Sequence, residues 1–87
     1  MWVDPLDNRK NWSYHWLLSV VDDFVKYQKQ NPIVEPSTNE QKLIESRKQL
    51  VEYCKSKLQY PSFMDDHGNV LVHLPEEVVV YYKLKYE

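Results

Sequence analysis

The stretch "NWSYHWLLSVVDDFVKY", residues 11–27, constrains this chain more than any other. On a helix turning 100° per residue, its apolar side chains do not collect into one stripe. Starting at Trp12 and turning, the surface passes Trp16, Tyr27, Val20, Phe24, Leu17, Val21, Tyr14, Val25 and Leu18, an arc of about 240°. Only His15, Ser19, Asp22, Lys26 and Lys29 form a clean polar strip, and Asp23 interrupts the tryptophan side. A helix resting on one neighbour needs an apolar arc of only about 100–140°. This helix therefore needs at least two apolar neighbours. Whatever they leave uncovered is open to a partner.

The rest of the sequence supplies those neighbours. Helix one is predicted from about Asn11 to Gln30, with Asn8 or Asn11 as its cap. Pro32 and Pro36 then break the pattern. Helix two is predicted from about Thr38 to Gln59. Ser37 with Glu40, or Thr38 with Gln41, gives the capping-box spacing, and Pro61 stops it. Its apolar stripe is narrow: Leu43, Ile44, Leu50, Val51, Cys54 and Leu58 fall within about 120°. Two long helices with a short connection predict an antiparallel hairpin. Arg47 points along the middle of that stripe. Three readings fit it: a packed stem with its head in solvent, an ion pair with Asp23, or an interface arginine.

The last third changes character. β-forming residues on both sides of Gly68-Asn69 predict a short hairpin of Phe63–Met64 and Val70–Leu74. Pro75, Glu76 and Glu77 then read as the first turn of a helix. "VVVYY" favours a strand by propensity. A helix would put Val78, Val79, Tyr82 and Tyr86 on one face, and a strand Val78, Val80, Tyr82, Leu84 and Tyr86. The expected architecture is one α+β domain. It comprises an irregular arm over 1–10 anchored by Trp2 and Leu6, a two-helix antiparallel hairpin over 11–60, and a small C-terminal antiparallel β element over 61–87. The last segment of that element is either strand or short helix. "GNVLVHLPEEVVVYYKLK" resembles the half-repeat of swapped-hairpin AbrB-like DNA-binding proteins, in which a strand after Gly leads into a Leu-Pro-Glu helix start. That family continues with a Gly-Asp turn and another strand, which do not follow here, so the resemblance brings no function and no site residues.

Composition narrows the function classes. With 87 residues the chain makes one domain with a small core. A net charge of −2 with both signs mixed predicts no general attraction to nucleic acid or anionic membranes. Cys54 is the single cysteine, so no internal disulfide forms. No apolar leader opens the chain, and no apolar run approaches the about 18–20 residues that span a bilayer. The expected compartment is therefore the cytoplasm. Gly68 is the single glycine, which excludes phosphate loops, dinucleotide fingerprints and nucleophile elbows. The absence of Ala and the excess of Lys over Arg match AT-rich coding, common among small phage proteins.

The chemistry-bearing residues are sparse. His15, His67, His73 and Cys54 share no metal-ligand spacing, so no metal or cofactor is expected. Asp65, Asp66, His67 and Asn69 are what a tight turn requires, before any acid–base role. The chain is expected not to be an enzyme and to have no small-molecule substrate. What remains is aromatic. Trp2, Trp12, Tyr14, Trp16 and Tyr27, with Arg47, are the predicted partner-binding residues, because Trp, Tyr and Arg carry interface energy. The expected function is a protein-binding module: an adaptor, inhibitor or assembly subunit, meeting a protein partner or a second copy. The alternative is a nucleic-acid-binding regulator using Tyr81, Lys83 and Lys85, where "YYKLKYE" interleaves aromatics with cations.

Overall fold

The computed structural model describes residues 1–32 and 38–87. In chain order the elements are β1 (Trp2–Val3), α1 (Asn11–Gln30), α2 (Asn39–Ser56), β2 (Ser62–Met64), β3 (Val70–His73) and α3 (Glu76–Tyr86). The fold is α+β. The sheet is antiparallel with strand order β1-β3-β2, so the last strand in sequence sits in the middle. Trp2 pairs with His73 and Val3 with Val72 on one side, and Ser62 with Val72 and Met64 with Val70 on the other.

Strand alternation separates two sheet faces. Val3, Val70 and Val72 point inward and are buried. There they join Trp12 and Trp16 of α1, Leu50, Val51 and Cys54 of α2, and Val79 of α3 in one core. Burying each large side chain contributes on the order of 2–3 kcal/mol, which is how so short a chain holds together.

The helix α1 runs as expected, but its cap does not. Neither Asn8 nor Asn11 caps it. The N-cap residue is Lys10, with no side-chain bond. The entry is fixed instead by backbone, with the Lys10 N–H donating to the Asp7 carbonyl at 3.3 Å. Ser13 Oγ donates back to the Lys10 carbonyl at 2.9 Å.

For α2 the Thr38 option is the one formed, its Oγ1 accepting from the Gln41 N–H at 3.1 Å. The Ser37–Glu40 alternative lies outside the described residues. The helix ends at Ser56, short of Gln59. Gln59 adopts the left-handed conformation at φ +60°, and the Tyr60 N–H donates to the Cys54 carbonyl at 2.9 Å. A left-handed residue just past the last turn closes a helix in this way.

α1 and α2 form the antiparallel hairpin. Gln49 Nε2 donates to the Asn31 carbonyl near the connection. Further along, Tyr53 of α2 meets Phe24 and Tyr27, at 5.5 and 5.4 Å between ring centroids.

Two parts of the chain differ from expectation. The N-terminal arm is not wholly irregular, because Trp2–Val3 adds a third strand to the sheet. Two residues are too few for an alternation to show in sequence. The last segment is a helix, α3. Val78 and Val79 N–H both donate to the Pro75 carbonyl, at 3.0 and 3.2 Å, starting the turn that Pro75-Glu76-Glu77 signals. β-propensity of the valines is outweighed by packing: Val79 is buried, and Val78, Tyr82 and Tyr86 rest on the core. α3 lies antiparallel to α1, Tyr86 stacking on His15 at 3.9 Å and Tyr82 Oη donating to Ser19 Oγ at 2.9 Å.

Candidate functional site

α1 packs chiefly on α3 and less extensively on α2, while the sheet packs on α2; the side chains of α1, α2, α3 and the inner sheet face meet in one core. The side that carries the tryptophans faces this core. Trp12 and Trp16 are 1% and 3% exposed. The expected partner-binding role of this pair is corrected: both are core side chains, filling volume in a chain without alanine. Tyr27 is half-buried against Tyr53.

The apolar surplus lies on the opposite side of the helix. Tyr14, Leu18 and Val25 are 42%, 45% and 41% exposed, and Val21 between them is half-buried. Their spacing is 4–3–4, which places all four within about 60° on the outer face. No described element packs over that face: α3 meets α1 through His15 and Ser19, and α2 meets it through Phe24 and Tyr27. Of the aromatic residues predicted for α1, Tyr14 alone belongs to this stripe. Leu18, Val21 and Val25 are not among the residues predicted to meet a partner, although the 4–3–4 spacing is legible in the sequence.

Trp2 sits elsewhere. It projects from the outer face of the sheet, edge-on to Phe63 at 5.1 Å and to His73 at 5.0 Å. Trp2 and Phe63 are both nearly half exposed, so this is a second, separate apolar patch.

Arg47 does not form the predicted ion pair with Asp23. Asp23 is exposed and not its partner. Arg47 Nη1 donates to the Gly68 carbonyl at 2.9 Å, fastening α2 to the β2–β3 turn. Its Nε is buried and without a hydrogen bond among the described residues. Arg47 is thus a fold residue, half-buried under the turn.

Between the C-terminal halves of α1 and α2 opens a shallow cleft of 330 Å³, lined by Asp23, Lys26, Tyr27, Tyr53, Lys57 and Leu58 among others. Burial, and secondarily the Asp23 charge, pushes the Tyr53 phenol above its ordinary value. The phenol is therefore protonated at neutral pH and is no nucleophile there.

The α3 residues are partly engaged. Lys83 Nζ lies 5.9 Å over the Trp12 ring. Lys85 Nζ lies 5.7 Å over Tyr81 and 5.2 Å over Tyr86. The histidines are dispersed: His15 stacks on Tyr86, His67 lies in the β2–β3 turn, and His73 faces Trp2. Cys54 is fully buried, and burial pushes its thiol up to about 12. Among the described residues, no three His, Cys, Asp or Glu side chains gather as a metal site would require, and no helix is long and apolar enough to cross a membrane.

The chain matches no family model, no curated protein and no solved structure to which it was compared.

Proposed function

We propose that the protein is a non-enzymatic protein-binding module whose contact surface is the outer stripe of α1. The observation that supports this reading is the row Tyr14, Leu18, Val21 and Val25, which no element among the described residues covers, on a helix whose other side packs on α3 and α2. Isolated surface hydrophobics are ordinary, whereas a contiguous row at coiled-coil spacing is what a second helix packs against. The row stands on a 20-residue helix already formed, so binding would order no new backbone.

A photo-cross-linking side chain in place of Leu18 tests this in the cell that makes the protein. It is expected to trap a discrete protein adduct that the same group at the exposed Glu52 does not. No adduct at Leu18 would sink the reading.

The nucleic-acid reading through Tyr81, Lys83 and Lys85 has less support, because both ammonium groups already rest over rings of this chain. It predicts a low-salt gel shift with random DNA or RNA that fades steeply as salt rises.

A further inference from the structure

We infer that the occupant of the α1 stripe is α1 of a second copy, packed antiparallel about a two-fold axis between Leu18 and Val21. The inference rests on the protein-binding reading above and names its partner. Three features of the stripe carry it.

The first is register. Successive spacings of 4, 3 and 4 make the row a heptad seam, the pattern that another helix packs into at a shallow crossing angle. A strand or a loop would not repeat its contacts at that spacing.

The second is side-chain volume. In the antiparallel arrangement Tyr14 meets Val25 of the other copy, and Leu18 meets its Val21. Each larger side chain then faces a smaller, β-branched one. A parallel pair would stack Tyr14 on Tyr14 and leave Val25 against Val25, crowding one end and leaving a gap at the other. The seam is complementary to itself only when one copy is reversed. In that register Asp22 comes opposite His15 of the second copy, so the polar edge of the seam adds no like-charge repulsion.

The third is extent. The row runs from residue 14 to 25, about three turns or 16 Å of helix. A contact of that length falls below the about 1,200–2,000 Å² of a standard stable interface. The pairing is therefore expected to be weak and reversible.

Sedimentation equilibrium on the full chain, from about 10 μM to about 1 mM, reads this directly. The expected result is a monomer–dimer equilibrium that a Leu18→Glu/Val25→Glu variant abolishes while keeping its circular dichroism and melting cooperativity. Register is read by oxidative cross-linking. Leu18→Cys mixed with Val21→Cys is expected to form the mixed disulfide faster than either variant alone; the buried Cys54 stays silent.

A wild-type chain that stays monomeric to 1 mM overturns the inference. If the Leu18 photo-cross-linker still traps a different protein, the binding-module reading stands without it. A dimer that survives the double Glu substitution overturns the inference too. So does Leu18→Cys that cross-links best to itself, which is the parallel outcome.

Discussion

Arg47 reaches across from α2 and donates through Nη1 to the carbonyl of Gly68, 2.9 Å away in the β2–β3 turn. The contact joins the second helix to the tip of the hairpin. The same side chain leaves Nε buried and unpaired among the described residues. Arg47→Met keeps the stem, removes one bond and removes the unpaired donor, so it should cost about 1 kcal/mol or less. Arg47→Ala also loses the packed stem and should cost about 2 kcal/mol. Urea unfolding separates them. Equal losses would mean that the guanidinium holds more than its one visible bond.

Two left-handed residues make opposite predictions. Gly68 sits at φ +81°, and a Cβ there would meet Arg47 Nη1 at an ordinary 3.6 Å. The cost of Gly68→Ala is therefore backbone strain alone, about 1–2 kcal/mol. Gln59 already carries that strain at φ +60°. Gln59→Gly should stabilise the chain by about 0.5–1 kcal/mol, seen as a higher melting temperature.

Trp16 and Leu18 are two positions apart and lie on opposite sides of α1. Trp16→Ala opens the core and should cost about 3–5 kcal/mol, enough to leave so small a domain largely unfolded. Leu18→Ala, at an exposed position, should stay within about 0.5–1 kcal/mol. Circular dichroism melts of the two variants check this contrast. Comparable losses would move Leu18 into the core and remove the stripe.

Cys54 should be inert in the native protein. Burial holds its thiol up to about 12, so almost no thiolate exists at neutral pH. Thiol reagents at pH 8 should modify it only at the rate of unfolding, and quickly in denaturant. Fast modification of the folded chain would place Cys54 at the surface.

Asp65 organises the β2–β3 turn. Its carboxylate accepts from the Asn69 and His67 N–H groups, at 2.8 and 2.9 Å. Chiefly through the Asn69 N–H, these bonds hold it below its ordinary 3.8. A depressed folded value stabilises the fold above pH 3.8, and that contribution is lost as pH falls through the lower value. The difference in melting temperature between wild type and Asp65→Ala should shrink below pH 3.8. A difference that is constant with pH would remove the carboxylate from this role.

What the sequence determined by itself was local. The span of α1, a cap at Ser37 or Thr38, the β2–β3 turn and the need of α1 for several neighbours follow from periodicity and turn chemistry, which act over a few residues. The sequence also carried the excess apolar arc of α1 and the 4–3–4 spacing within it.

Which part of that arc would remain open was a tertiary decision. A helical wheel ranks Trp12, Trp16, Leu18 and Val25 alike as apolar. Only the tertiary packing buries the first two in the shared core and leaves the others partly exposed. The strand at Trp2–Val3 and the helix at Glu76–Tyr86 were likewise settled by partners distant in sequence, β3 for the one and α1 for the other. Packing between remote segments outweighs propensity in short elements, because a few residues of preference are worth less than one buried side chain.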